Sequence, residues 1–261
     1  MPGRDETLDA SDEHVALEEK LRAALRSRLD HTVLQERKPP LTAKWTDIST
    51  DNSVSILAKL TRKLIEDGDE DPWPLAHERI ALRSTPIPFY EDALFFDAVV
   101  DHRMGWLGHA TFIIGRGGFH SLTVNSTEVH EINHRKSPDL NDAKLAELYL
   151  RFFCWVVCAQ HGPFLVIDHI DRLHDIKDEK TLSEIQERIE TAQAKTPYKD
   201  DNGNWIFSRI IFYEKTIFES VFSVYPNGLI EMLEDDEILE LDKSSSTWEL
   251  HGKVRYLRKE A

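Results

Sequence analysis

The chain is poor in sulfur and in positive charge. Its 261 residues include two cysteines, too few for a disulfide scaffold, and their position within one predicted helix gives no sign of an oxidising compartment. Lysine and arginine number 32 against 47 aspartates and glutamates, so the formal net charge is -15. Because nucleic acids and anionic membranes attract basic surfaces, this balance argues against direct binding to either.

Long apolar runs are also missing. No run approaches the roughly 20 residues that span a bilayer, and the first residues lack the apolar core of a secretion signal. We therefore expect a cytoplasmic protein without a membrane segment. The sequence has no internal repeat, no Walker motif and no G-x-S-x-G nucleophile elbow, so the common nucleotide and esterase signatures are absent.

The densest apolar segment runs from residue 137 to residue 168. Ser137 is a good helix N-cap and Pro138 suits the first helical position, which predicts a helix starting there. The run 152–159 contains no polar residue, so the second half of this helix should be buried. Glycine and proline at 162–163 should end the helix, and residues 164–167 should form a short buried strand.

The remaining pattern predicts a helical N-terminal part and a mixed C-terminal domain. Residues 1–12 are polar and are predicted to be disordered. Residues 13–71 form a helical segment with amphipathic helices at about 14–35 and 54–66, followed by a proline-containing linker. Residues 85–261 are predicted to form an α+β domain.

Two β blocks flank the dense segment in this prediction. Three strands are expected between residues 93 and 124, with a hairpin turn at Gly115–Gly118. A charged helix is expected at about Leu182–Ala194, and strands from 205 to 233 should form a meander with a turn at 226–228. The predicted class is α+β: an antiparallel-rich mixed sheet with a central buried helix, preceded by the N-terminal helical segment.

Two stretches carry a resemblance to a known family. The run YLRFFCWVV (149–157) with HGPF (161–164), and the later FESVFSVYPNGLIEML (218–233), resemble an uncharacterised family of bacterial cytoplasmic proteins. The likeness covers about residues 85–240 and consists of fold-forming residues. It implies a bacterial origin and a common fold unit, and it assigns no catalytic residue.

The sequence HEINH at residues 130–134 matches the HExxH motif of zinc metalloproteases. In that motif two histidines four residues apart on one helix bind Zn²⁺, and the glutamate takes a proton from the metal-bound water. His130 and His134 are therefore candidate metal ligands and Glu131 is a candidate catalytic base. The stretch is short and Pro138 follows soon after, so we expect instead a half-buried strand or loop at Val129–Asn133.

Two further patterns admit a metal. Residues 67–78 place carboxylates at several positions of an EF-hand calcium loop, but Pro72 occupies the sixth position, which requires the positive φ that glycine provides. Cys154, Cys158 and His161 fall at helical spacing and would share one side of the predicted helix. An acidic linker and ordinary core cysteines are the simpler interpretations.

Without a coherent catalytic set, we expect a non-enzymatic protein that binds a partner protein or a small ligand and needs no cofactor. The rival hypothesis is a zinc-dependent hydrolase that uses His130, Glu131 and His134. A third hypothesis, motivated by the negative charge, is an acidic mimic of nucleic acid that occupies a DNA-binding protein.

Overall fold

A computed structural model describes residues 10–26, 40–102, 106–115, 117–122, 126–159, 162–170, 173, 176, 178–241, 248–251 and 253–258. Within these ranges the helices are α1 (Ala10–Arg26), α2 (Thr50–Glu66), α3 (Trp73–Ala76), α4 (Thr127–Arg135), α5 (Ala143–Val156) and α6 (Glu179–Ala194). The strands are β1 (Thr46–Asp47), β2 (Ile80–Pro86), β3 (Leu94–His102), β4 (Trp106–Gly115), β5 (Gly118–Leu122), β6 (Cys158–Ala159), β7 (Gly162–Pro163), β8 (Leu165–Val166), β9 (Tyr198–Lys199), β10 (Trp205–Tyr213), β11 (Thr216–Val224), β12 (Ile230–Glu240), β13 (Trp248–His251) and β14 (Val254–Arg258).

The first sheet has seven antiparallel strands in the order β1-β2-β3-β4-β14-β13, with β5 also paired to β4. Side chains alternate between its two faces, so Phe96 and Phe112 point to one side and Phe95 to the other. Helices α1 and α2 cover the first of these faces, where Leu21 and Leu57 share a buried core with both phenylalanines. The N-terminal helices therefore fold against the first sheet.

The second sheet has five antiparallel strands in the order β12-β11-β10-β8, with β9 also paired to β10. Helix α5 lies between the two sheets: the ring of Phe152 is 5.6 Å from that of Phe95 on the first sheet, and the same core contains Phe207 of the second. Helix α6 covers the outer face of the second sheet through Ile185 and Ile189. The layers therefore alternate as helix, sheet, helix, sheet and helix.

The predicted α+β class with a central buried helix is confirmed. The arrangement differs in one respect, because the two β blocks form separate antiparallel sheets instead of one mixed sheet. The cause is α5, which is apolar over most of its circumference and needs a covering layer on each side. The predicted strands at 205–213 and 216–225 correspond closely to β10 and β11.

The central helix starts at Ala143, later than the predicted Ser137. Asp142 is the N-cap, and its carboxylate accepts a hydrogen bond from the backbone N–H of Leu145 at 2.8 Å. The preceding residues have partners outside the helix: the N–H of Asp139 donates to the carbonyl of Phe89 at 2.9 Å. These bonds hold the chain in a non-helical path up to the cap.

The helix also ends early, at Val156. Arg255 of β14 donates to the carbonyl oxygen of Trp155 at 2.6 Å, which supplies a partner that continued helix would have provided. The strand predicted at 164–167 is short as well, since Leu165–Val166 pairs with β10 at the edge of the second sheet and is not central.

The N-terminal part differs from the prediction at several boundaries. Helix α1 already begins at Ala10, so residues 10–12 of the predicted disordered tail are helical; residues 1–9 and 27–39 lie outside the described ranges. Helix α2 begins at Thr50 and ends at the predicted Glu66. The predicted linker contains α3 and leads directly into β2, which the sequence analysis missed. None of the helices in the described ranges has the length and apolar character needed to cross a bilayer.

Candidate functional site

The HEINH motif lies on helix α4, so the predicted strand or loop at Val129–Asn133 is wrong. Val129, Ile132 and Asn133 recur at three- and four-residue spacing and form the buried side of the helix. Glu128 in the first turn and His134 in the last turn place charge or polarity favourably at the two ends of the helix dipole. A short amphipathic helix therefore forms between β5 and the loop that contains Pro138.

The two histidines of the motif share one side of α4, as i and i+4 positions do. His134 and Glu131 are exposed, while His130 is partly buried with its ring 5.9 Å from the ring of Phe153. Across the residues that the structure describes, no three histidine, cysteine, aspartate or glutamate side chains are grouped so that they could hold a metal ion. The described chain thus presents two imidazoles without a third ligand.

The third buried residue of α4, Asn133, has a structural role. Asn133 accepts a hydrogen bond from the hydroxyl of Tyr90 at 2.6 Å and donates to the hydroxyl of Tyr149 at 2.8 Å. Tyr149 in turn donates to the carbonyl of Gly228 at 2.7 Å, and its burial raises the pKa of this phenol. Hydrogen bonds therefore link the motif helix to Tyr149 of α5 and, through Tyr149, to the turn between β11 and β12.

The calcium-like loop is occupied by internal ion pairs. Asp67 lies 2.5 Å from Lys63, and Asp69 lies 2.9 Å from Lys253. Pro72 has a φ of -62°, whereas the sixth residue of a calcium loop requires a positive φ. Two of the five carboxylates of this segment, Asp67 and Asp69, thus have lysine counter-ions.

The two cysteines do not share a helix face, because α5 ends between them. Cys154 is inside α5 and Cys158 is in β6; both are free and buried, and His161 lies outside the described residues. Burial raises the pKa of the Cys154 thiol to about 12, so this side chain stays protonated at neutral pH. The predicted three-ligand helix face is not formed.

A buried ionic cluster, which the sequence analysis missed, lies on the α5 side of the first sheet. Asp97 Oδ2 accepts hydrogen bonds from Arg83 Nε at 2.9 Å and Nη2 at 2.6 Å, and Oδ1 lies 3.0 Å from His109 Nδ1. Burial by itself raises the pKa of Asp97, but His109 and Arg83 more than offset this effect and hold the pKa at about 2. The carboxylate is therefore ionised throughout the neutral range.

One signal for this cluster was present in the sequence. Asp97 interrupts the apolar run LFFDAVV and His109 interrupts LGHATFII, and a strand that is apolar on both sides is buried on both faces. A polar residue inside such a strand has to find a buried partner. The identity of the partner depends on strand register, which the sequence does not show.

Strand β12 is the exposed edge of the second sheet. It pairs with β11 on one side, and within the described ranges no strand pairs with its other side. Residues 231–237 are exposed without interruption, including Met232 at 43% and Leu233 at 52% of their surface. The pairing with β11 is irregular at Leu233 and Ile238, which are extra residues without a partner in the ladder.

Four consecutive acidic residues, 234–237, lie between these two bulges. The acidic side chains that flank them have partners, since Glu231 accepts from the hydroxyl of Tyr225 at 2.6 Å and Glu240 pairs with Lys215. Within the described part of the chain, the side chains of 234–237 form no ion pair. We name residues 230–240, with their open backbone edge and these four carboxylates, the acidic edge.

The chain has no match among models of protein families, and comparisons with curated proteins and with solved structures find no similar protein. The resemblance to a family of bacterial cytoplasmic proteins stays a prediction.

Proposed function

We propose that the protein is a non-enzymatic binding protein whose acidic edge docks an extended, basic segment of a partner protein. The observation that supports this proposal is an eleven-residue edge strand with an open side and four consecutive carboxylates that have no counter-ion within the described residues. Edge strands commonly receive such segments by β-strand addition, in which backbone hydrogen bonds give affinity and side chains give specificity.

The backbone of β12 supplies a long docking surface. At about 3.4 Å per residue the strand extends for about 37 Å, enough to pair with a segment of similar length. On an open edge, N–H and C=O groups that face outward are bonded only to water. A docked strand would replace that water with a continuous antiparallel or parallel ladder.

The charge of the acidic edge defines the partner. Glu234 and Asp236 project to one face of the strand and Asp235 and Glu237 to the other, at a same-face spacing of about 7 Å. At this spacing two carboxylates repel each other by about 0.6 kcal/mol in water before screening by salt. The repulsion deters a second copy of the same strand from pairing here, and lysine or arginine on a partner strand would relieve it.

Apolar area lies beside the carboxylates. Met232 and Leu233 are large, exposed and adjacent, whereas a strand that only needs protection from aggregation would have charged residues there too. Interfaces typically place apolar contact beside polar and charged groups. A partner segment with alternating basic and apolar residues fits both features.

The test is calorimetric titration of the full chain with a peptide of alternating lysine and valine, using a glutamate and valine peptide as the control ligand. We expect saturable binding of the lysine peptide only, weakening with salt, and slower amide exchange across residues 230–240. The double variant Glu234→Lys/Asp236→Lys should abolish binding. Glu13→Lys/Glu19→Lys, which makes the same charge change on exposed positions of α1, should bind as the unchanged protein does.

Two results would count against the proposal. Equal loss of binding in both double variants would show that net charge, and not the acidic edge, attracts the peptide. Binding without any change in amide exchange over 230–240 would place the contact elsewhere.

The zinc-dependent hydrolase is the second candidate. The zinc motif requires a helix, and HEINH is helical, where the sequence had led us to expect a strand or loop. Protein purified without chelator should then contain zinc in a one-to-one ratio, and His130→Ala should lose it. Metal-free protein with unchanged folding, or equal zinc content in His130→Ala, would remove this candidate. The lysine and valine peptide should not affect zinc content in either case.

A further inference from the structure

Arg255 is a buried arginine that has no charged partner among the described residues. Its exposed fraction is 2%, and Nη1 donates to the carbonyl of Trp155 at 2.6 Å while Nη2 donates to the hydroxyl of Thr111 at 3.2 Å. The Sγ of Cys158 lies 3.5 Å from Nη1. In the described part of the chain, no carboxylate pairs with this guanidinium, which stays charged at any ordinary pH.

Other buried arginines of this protein do have such a partner. Arg83 is bound by Asp97, and Arg209 Nη2 lies 2.9 Å from Glu147. Asp97 forms its ion pairs with Arg83 and His109 and none with Arg255. On this face of the first sheet, the positive charge of Arg255 is therefore not balanced by a carboxylate among the described residues.

Helix α5 partly compensates the positive charge of Arg255. The carbonyl of Trp155 belongs to the last turn, where the helix dipole contributes roughly half a negative elementary charge. The guanidinium carbon also lies 4.0 Å from the centroid of the Trp155 ring, a favourable cation–π geometry. Neither contribution supplies a full negative charge, and a buried cation without one is strongly disfavoured.

His109 lies beside Arg255 and has a ring nitrogen, Nε2, without a hydrogen-bond partner among the described residues. The two residues are directly opposite in the β4–β14 pairing, so their side chains are neighbours on the same face. The Nδ1 of His109 faces the ionised Asp97 and therefore carries a proton, while Nε2 makes no hydrogen bond within the described residues. Nε2 is thus a polar atom without a partner in the described chain, and the imidazole is 2% exposed.

We propose that Arg255 and His109 form a site for a small oxyanion such as phosphate. Its oxygens would accept hydrogen bonds from Arg255, and one of them would form a hydrogen bond with Nε2 of His109. The charge of the ligand supplies the counter-ion that Arg255 does not have among the described residues, and one of its oxygens supplies a partner for Nε2. The low exposure of both side chains favours a ligand of a few atoms over a larger molecule.

The test uses sodium phosphate as the probe at constant ionic strength, with sodium chloride as the matched salt. We expect one-to-one saturable binding to the unchanged protein by calorimetry, a higher Tm than in chloride, and a change in the His109 Nε2 nitrogen resonance. Arg255→Met should bind about ten- to a hundredfold more weakly, the loss of one charge-assisted hydrogen-bond donor. Arg209→Met removes a comparably buried arginine that pairs with Glu147, and this variant should bind phosphate as the unchanged protein does.

Measurements on the unchanged protein decide the matter even if Arg255→Met does not fold. No saturable binding and no rise in Tm beyond that in chloride would overturn the proposal. So would folded Arg255→Met that binds phosphate with unchanged affinity, or thiolate absorbance from Cys158 at neutral pH, because the sulfur would then be the counter-ion. Loss of lysine-peptide binding at the acidic edge has no bearing on these outcomes.

Discussion

Replacement of Asp97 by asparagine should destabilise the protein severely. The side chain is fully buried, and asparagine keeps its shape while removing the negative charge that faces Arg83 at 2.6 Å and His109 at 3.0 Å. Arg83 would then be a buried cation without a counter-ion. Removal of one partner from a buried ion pair costs about 3–5 kcal/mol, so we expect the free energy of unfolding at neutral pH to fall by about that amount.

The loss of stability in Asp97→Asn should become smaller as the pH falls. The pKa of Asp97 is about 2 in the folded protein against 3.8 for an ordinary aspartate. Since the folded-state pKa is lowered, the stabilisation is complete above pH ~4 and is lost as the pH falls through about 2. The difference between these two pKa values corresponds to about 2 kcal/mol of folding stability, and about half of this stabilisation should be lost by pH ~3. Asparagine does not titrate, so the gap between the two proteins should narrow over this range.

Urea unfolding followed by tryptophan fluorescence measures both effects. Asp235→Asn on the acidic edge is the matched control, and its stability should change by less than about 0.5 kcal/mol because the site is exposed. A loss below about 1 kcal/mol in Asp97→Asn at neutral pH would refute the buried ion-pair argument. A deficit that stays constant down to pH ~3 would refute the assignment of the lowered pKa.

Three further predictions address other parts of the fold. Gly228→Ala should lower the free energy of unfolding by about 2–4 kcal/mol in urea titration, because φ is +82° and the new Cβ would lie 2.4 Å from Asn133 Nδ2. Glu147→Ala removes the carboxylate from the buried Arg209 and should cost about 1–3 kcal/mol in the same assay; no measurable loss would contradict the contact. Cys154, with a pKa of about 12, should react with iodoacetamide at neutral pH only as fast as the protein unfolds, which mass spectrometry of the labelled protein can follow.

Much of the local structure could be predicted from the sequence. The alternation of residues 205–224 located β10 and β11, and the positive φ of Gly228 agrees with the predicted turn. These features depend on neighbouring residues, where spacing and turn preferences act directly. The start of α5 was wrong because Asp139 is held by Phe89, about fifty positions earlier in the chain.

The candidate sites were less predictable for the same reason. HEINH was visible as a motif, yet its helical conformation depends on a buried side formed by Val129 and Ile132 in a short segment. The ionic cluster needs three strands in a particular register, and Asp97 and His109 become partners only after that pairing. The acidic edge was visible as a run of charges, but its open side depends on the order of strands in the sheet.

The position of β14 also constrains how the chain can fold. This strand follows the second sheet in sequence but lies inside the first, where Arg255 reaches Thr111 across 144 positions of chain. During synthesis β2 to β5 emerge long before β14, so one side of β4 at residues 106–109 stays without its partner until the second sheet has been made. Closing so long a loop is entropically slow, and until then the growing chain exposes an unpaired strand beside apolar side chains. Folding intermediates should therefore be most prone to aggregation before β14 docks, and a chaperone that holds this first sheet would increase the yield of folded protein.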